Sequence, residues 1–338
     1  MMIVMKTDAT EEQIQHVVSR LESVGAKAHV SKGEIVTIIG AIGDREQISA
    51  LPLDAMAGVD KVMPILKPYK LASRQAHPED TVVQVRDRAL GGNNFALIAG
   101  PCSVESEDQY MTAARQARDA GATMLRGGAF KPRTSPYSFQ GMGEEGLKIM
   151  AAAREETGLP IVTELMDPRD VEVVLKYADV IQIGTRNMQN FQLLSEVGKV
   201  ERPVLLKRGM SATIEELLMA AEYVLKEGNS DVILCERGIR TFETATRFTL
   251  DISAIPIIKK QSHLPIIVDP SHSAGKRELV LPLSLASVAV GADGLIVEMH
   301  PAPEEALCDG SQSLPSDEFM AYAAEVRRYV EMTGKQIS

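Results

Sequence analysis

Phe95-Ala96-Leu97-Ile98-Ala99 is an uninterrupted apolar run, and Gly100-Pro101-Cys102-Ser103 follows it directly. A short run of this kind, rich in strand-forming residues and bounded by turn formers, reads as a buried strand. The pattern recurs at Thr123 to Gly127, Pro160 to Glu164, Val180 to Ile183, Pro203 to Lys207, Val232 to Glu236, Pro265 to Asp269 and Gly294 to Glu298, with helical patterns between. Eight such units over roughly 245 residues predict an α/β fold, a (β/α)8 TIM barrel rather than an open doubly wound sheet.

Nearly every one of these strands ends in polar or charged residues: Pro101-Cys102-Ser103, Arg126-Gly127-Gly128, Thr163-Glu164, Gln182-Ile183-Gly184, Lys207-Arg208-Gly209, Glu236-Arg237-Gly238, Asp269-Pro270-Ser271-His272 and Glu298-Met299-His300. In a parallel barrel these ends share one rim, the face on which barrel enzymes do their chemistry. Residues far apart in sequence should therefore meet in one pocket.

Upstream, residues 1–66 read β-α-β-β-α-β. Met2 to Lys6 is a strand, and Thr10-Glu11-Glu12-Gln13 has capping-box spacing before a helix whose Ile14, Val17, Val18, Leu21 and Val24 share a face, stopped by Gly25. Lys27 to Ser31 and Glu34 to Ile42 form a hairpin around Lys32-Gly33, Asp44-Arg45-Glu46-Gln47 starts a second helix, and Val59 to Leu66 closes the unit. This is the order of a small α+β ferredoxin-like (ACT-like) domain. Residues 67–90, with Pro68, Pro78 and many charges, read as a linker, Thr81 to Val85 as a small strand covering the bottom of the next domain, and residues 91–338 as the barrel.

The bulk numbers agree with a globular protein of two domains: 338 residues, 45% hydrophobic and 24% charged. A net charge of -10 argues against a broad nucleic-acid surface. No apolar window is long enough to span a membrane, and the start lacks the pattern of a signal peptide, so no membrane association and a cytoplasmic location are expected. Three cysteines, Cys102, Cys235 and Cys308, suit a reducing compartment and point to chemistry rather than a disulfide framework.

Four residues at the expected rim have the chemistry of divalent-metal ligands: Cys102, His272, Glu298 and Asp309. Thiolate, imidazole and two carboxylates suit Mn, Fe, Co, Zn or Cu rather than Ca or Mg, and leave the choice among them open. His300 and His263 are weaker candidates with structural roles expected. Six cations, Arg126, Lys131, Arg133, Lys207, Arg208 and Arg237, are expected near the same rim, where crowding them calls for an anion. The loop from Arg126 to Phe139 is the densest, and six cations exceed the needs of one phosphate, which implies two anionic substrates.

These residues carry a resemblance. Ala99-Gly100-Pro101-Cys102-Ser103, the run Arg126 to Thr134, Leu206-Lys207-Arg208-Gly209, Cys235-Glu236-Arg237-Gly238 and Asp269-Pro270-Ser271-His272-Ser273 resemble the motifs of type I 3-deoxy-D-arabino-heptulosonate-7-phosphate (DAHP) synthases of the β subgroup, over essentially the whole chain. That resemblance implies a transferase of the first step of the shikimate pathway, which joins phosphoenolpyruvate to erythrose 4-phosphate. It implies Cys102, His272, Glu298 and Asp309 as ligands of a divalent metal, Arg126, Lys131, Lys207 and Arg237 around phosphoenolpyruvate, and Arg133, Thr134 and Ser135 around the phosphate of erythrose 4-phosphate. Lys131, Cys102 and His272 would be the catalytic residues, with Lys131 as proton carrier.

Two other readings stand beside it. The related 3-deoxy-D-manno-octulosonate-8-phosphate synthases have a loop resembling Lys-Ala-Asn-Arg where this chain has Lys131-Pro132-Arg133-Thr134. A non-catalytic aromatic amino acid sensor would be expected to have lost ligands or cations that are intact here. The N-terminal domain is expected to bind tyrosine or phenylalanine as a feedback effector between subunits of a homotetramer. Cys308, beside Asp309, is a candidate for oxidation with Cys102.

Overall fold

The computed structural model describes residues 1–33, 36–63, 68–131, 135 and 137–337. Met1–Pro68 and Tyr69–Ser338 form two compact units.

In the first unit, strands β1 (Met2–Met5), β2 (Lys27–Lys32), β3 (Thr37–Ile42) and β4 (Val59–Met63) pair antiparallel in the order β2-β3-β1-β4, the split βαβ arrangement. Helix α1 (Glu11–Glu22) starts at Thr10, whose hydroxyl accepts from Gln13 N while the Gln13 side chain accepts from Thr10 N. Its Ile14, Val17 and Leu21 are buried with Ile3, Met5 and Ile39. Asp44 caps α2 (Arg45–Ser49), which is shorter than its partner and gives way to a 3-10 turn at Leu53–Ala55, because Pro52 forbids continuation. The expected ends of β3 at residues 34–35 and of β4 at residues 64–66 lie outside the described residues.

In the second unit, residues 69–81 run along the barrel: Glu222 accepts from Lys70 N, Leu71 N and Ala72 N, and Thr81 bonds His263 through backbone and hydroxyl. A hairpin follows, β5 (Val83–Val85) and β6 (Arg88–Leu90). Then eight parallel strands close on themselves: β7 (Asn94–Gly100), β8 (Met124–Arg126), β9 (Ile161–Glu164), β10 (Val180–Ile183), β11 (Val204–Lys207), β12 (Val232–Glu236), β13 (Ile266–Val268) and β14 (Gly294–His300), with β14 paired to β7. The helices between them are α3 (Glu107–Asp119), α4 (Glu144–Thr157), α5 (Val171–Leu175), α6 (Phe191–Gly198), α7 (Ile214–Lys226), α8 (Ala254–Gln261), a one-turn α9 (Pro270–Ala274) and α10 (Arg277–Ala289), and α11 (Ser316–Met332) completes the ring. Pro160, Pro203 and Pro265 stand just before their strands rather than in them, since proline has no N–H for the ladder. Asp269 likewise falls beyond β13, as the cap of α9.

Alternation along each strand sorts the side chains. Phe95, Leu97 and Ala99 pack outward with the helices, and so do Ile181, Ile183, Val204, Leu206, Leu295 and Val297. Ala96, Ile98, Met124, Val162, Leu205, Ile233, Ile267 and Ile296 point inward, where Val83, Val85 and Leu90 of the hairpin join them and plug the bottom of the barrel. The C-terminal mouth is left for polar side chains. Leu90→Ala should therefore lower the unfolding free energy by about 2–5 kcal/mol in urea titrations, through a cavity under the plug. Leu71→Ala, 46% exposed, should change it by less than about 0.5 kcal/mol.

Candidate active site

Continuing each strand's inward parity to the mouth gives Arg126, Glu164, Lys207, Arg237, Asp269 and Glu298, all of which converge there. Cys102 follows β7, where Gly100 is obligatory: a Cβ on it would lie 2.2 Å from Arg126 O. His272 sits on α9, and Asp309 follows β14 in the left-handed backbone region at φ 53°. One ligand atom from each of Cys102, His272, Glu298 and Asp309 lies within 4.8 Å of the other three. Cys102 Sγ is 3.2 Å from Asp309 Oδ2, His272 Nε2 is 3.2 Å from Glu298 Oε1, and His272 Nε2 is 3.8 Å from Asp309 Oδ2.

Two of the four donors, His272 and Glu298, are also held from behind. Asp269, fully buried, accepts from His272 Nδ1 at 2.7 Å and from Lys207 Nζ at 2.5 Å. That bond turns Nε2 of the imidazole toward the cluster, the usual second contact of a metal-binding histidine. Glu298 accepts from Arg126 at 2.8 Å and from Gln312. Burial opposes ionisation of Asp269, yet His272 and Lys207 hold it well below the usual carboxylate range. Burial likewise works against charge on His272, but Asp269 and Glu298 outweigh it and raise the imidazole to about 9. A hydrogen bond with Cys308, burial and the Glu298 carboxylate push the Cys102 thiol up, so its ionisation calls for more positive charge than Lys131, at 3.0 Å, supplies. A soft donor, an imidazole with its outer nitrogen tied and two carboxylates fit a borderline divalent cation.

Beside the cluster opens a cavity of about 640 Å³. Buried Arg126, Lys131, Lys207 and Arg237 form its floor, and Arg186, Arg240 and Arg247 stand nearer solvent. Arg126 Nε is buried without a hydrogen-bond partner among the described residues. Among the described residues Arg237 donates only to backbone carbonyls; it lies 4.1 Å over the Phe248 ring, and burial depresses its pKa. Such guanidinium groups favour an anionic occupant. Ser135 is on the cavity wall, while Arg133 and Thr134 lie outside the described residues.

Arg208 is the expected cavity cation that the structure removes. It follows inward-facing Lys207, so it points out through the barrel wall, where it pairs with Glu236 at 2.7 Å and Asp251 at 2.9 Å. Period-two alternation in Leu206-Lys207-Arg208 carried that signal. Asp269 and Gln312 were missed as holders of ligands, and Arg186, Arg240 and Arg247 were missed as wall residues. Arg186 lies in a single 3-10 turn, Thr185–Asn187, and Arg240 and Arg247 in the loop after β12, where no periodicity gives direction. His263 binds Thr81 and Leu71 O, and His300 accepts from Ala302 N, so neither belongs to the cluster. No disulfide joins Cys102, Cys235 and Cys308, all of which are buried.

The DAHP synthetase I family matches residues 77–334, and the DAHP synthase ferredoxin-like domain matches residues 1–67. Phospho-2-dehydro-3-deoxyheptonate aldolase of Thermotoga maritima is 53% identical over 338 residues, 100% of either chain. A 2-dehydro-3-deoxyphosphooctonate aldolase of Syntrophotalea carbinolica is 34% identical over 255 residues, 70% of this chain and 91% of the relative. The crystal structure of the Thermotoga DAHP synthase superposes with a TM-score of 0.95 at 51% identity, covering 100% of this chain and 99% of that one. A truncated form of the Thermotoga enzyme gives 0.75 over 80% of this chain and 99% of its own.

Asp269→Asn keeps the shape of the side chain but removes its charge from between His272 and Lys207. Affinity for Mn²⁺, measured by chelator competition, is expected to fall about 10–100-fold. Affinity within twofold of the unsubstituted protein would show that Asp269 does not orient the imidazole.

Proposed function

The chain belongs to the DAHP synthetase I family, and on that premise we propose that it condenses phosphoenolpyruvate with D-erythrose 4-phosphate and water to give DAHP and inorganic phosphate. The observation that carries this reading is the juxtaposition of the Cys102, His272, Glu298 and Asp309 donor set with a cavity floored by buried cations. When bound by those four residues, a divalent cation supplies Lewis acidity at the aldehyde oxygen.

The rest falls to the chain's own side chains. Arg126, Lys131, Lys207 and Arg237 hold the carboxylate and phosphate of phosphoenolpyruvate, orienting C3 toward the aldehyde. Arg186, with no carboxylate partner among the described residues, adds charge where that phosphate leaves. Arg133, Thr134 and Ser135 hold the sugar phosphate. C3 attacks the aldehyde carbon, and water adds to the electron-poor C2. The tetrahedral product at C2 then expels inorganic phosphate to leave a ketone, its departing charge met by Lys207 and Arg237. Burial works against the charge of Lys131, yet Cys102 keeps its ammonium above its ordinary value, so Nζ carries the proton that the former aldehyde oxygen takes up.

Phosphate release should require both substrates, vanish after chelator treatment and return with Mn²⁺, and it should be faster with erythrose 4-phosphate than with arabinose 5-phosphate. Lys131→Met should lower kcat about 10²–10⁴-fold. Faster turnover of arabinose 5-phosphate would reassign the substrate.

Residues 1–66 are then a regulatory domain, 67–90 a linker, and 91–338 the catalytic barrel, whose bottom the β5–β6 hairpin plugs. The ferredoxin-like match supports feedback inhibition by tyrosine or phenylalanine bound between such domains in a homotetramer. A thiol ligand fits the cytoplasm, and among the described residues no helix is long and apolar enough to cross a membrane. Deletion of residues 1–66 should leave turnover and abolish inhibition, and a deletion variant still inhibited by tyrosine or phenylalanine would assign the effector site to the barrel.

A further inference from the structure

Each carboxylate of the donor set turns one oxygen to the cluster and the other to a neutral or cationic donor. Glu298 Oε1 faces His272 Nε2 and also accepts from Arg126 at 2.8 Å, and Oε2 accepts from Gln312 Nε2. Asp309 Oδ2 faces Cys102 and His272, and Oδ1 accepts from Arg247 at 3.2 Å. The two holders also bond each other, since the same guanidinium nitrogen donates to Gln312 Oε1 at 3.1 Å. The amide of Gln312, 1% exposed, therefore has its nitrogen on a carboxylate and its oxygen on a cation, which fixes its orientation.

The backbone around this chain of contacts is held on both sides. Gln312 N and Ser313 N both donate to Asp309 O at 3.2 Å, so Asp309 and Gln312 belong to one tight turn. Arg247 comes from the loop after β12, whose Arg247 N and Phe248 N donate to Ala274 O and Ser273 O at the end of α9, beside His272. A Cβ on Gly275, at φ 68°, would lie 2.8 Å from Arg247 Cβ, so the guanidinium stem is packed directly on that helix end.

We propose that Arg247 and Gln312 are positioning residues of the metal centre, a clamp that occupies the outer oxygen of Asp309 and of Glu298 so that each carboxylate offers the cation a single oxygen. This rests on the metal-binding reading above. The clamp sets coordination number: releasing it lets a carboxylate swing and chelate through both oxygens. Arg247 is also on the cavity wall, so the same guanidinium borders both the metal centre and the substrate space.

The test uses Co²⁺ with the full-length protein and its Arg247→Ala, Arg247→Lys and Gln312→Ala variants. Affinity is read by chelator competition, coordination by visible ligand-field absorption, and folding by melting of the metal-free protein. Both alanine variants should bind Co²⁺ about 10–100-fold more weakly. Their ligand-field bands should weaken as coordination number rises, and Arg247→Lys should recover part of both effects. Arg247 is 42% exposed, so Arg247→Ala should melt like the unsubstituted protein, which keeps the test valid even where the buried Gln312 variant folds poorly. Variants with unchanged Co²⁺ affinity and spectrum would overturn the clamp while leaving the metal centre standing. Failure of the unsubstituted protein to bind Co²⁺ would overturn the metal centre and the clamp with it.

Discussion

The closure of the barrel by β14 against β7 sets Glu298 beside Gly100, two residues before Cys102, and everything at the mouth depends on that register. The first and last strands of the barrel thereby deliver a thiol and a carboxylate to the same point from positions almost 200 residues apart in sequence. A shift of one residue in β14 would turn Glu298 outward among the helices and replace it with an apolar side chain. The plug formed by Val83, Val85 and Leu90 supports this closure from below, because it packs in one buried cluster with the inward side chains of the strands, Ile98, Met124 and Ile296 among them.

Charge compensation is the second constraint. Asp269 and Glu298 are fully buried and Asp309 partly so, and each is paired with cations rather than left alone: Asp269 with Lys207 and His272, Glu298 with Arg126 and His272, Asp309 with Arg247. Removing a cation from Asp269 or Glu298 leaves an uncompensated charge in low dielectric, which costs far more than loss of the partly exposed Arg247–Asp309 pair would. The cations of the cavity are thus of two kinds. Some are anchored by acids of the cluster, and others, such as Arg186, face solvent without a carboxylate partner among the described residues and are available to an anion.

Much of this was legible in the sequence because barrel strands carry a strong local signal. Eight apolar runs, each with polar residues at the C-terminal end, were enough to define the fold and bring Cys102, His272 and Glu298 together, and the motifs around them identified the family. What escaped did so for physical reasons. Strand-end position alone puts Arg208 at the cavity, but alternation with inward-pointing Lys207 directs its side chain outward. Asp269 opens the motif Asp269-Pro270-Ser271-His272-Ser273, and only its parity with Ile267 puts it at the centre of the charge network. Gln312, Arg186, Arg240 and Arg247 lie in connections whose direction is set by tertiary hydrogen bonds, such as Arg247 N to Ala274 O, and sequence periodicity does not report on those.

The central claim is that Cys102 is a ligand in a mixed thiolate, imidazole and carboxylate centre. Near-ultraviolet absorption of the cobalt-loaded protein tests it most directly, since a thiolate bound to Co²⁺ gives a charge-transfer band that nitrogen and oxygen ligands do not. The band should be present in the unsubstituted protein and absent from Cys102→Ser loaded with the same ion. A cobalt-loaded protein without the band, or a Cys102→Ser variant that retains it, would contradict the account.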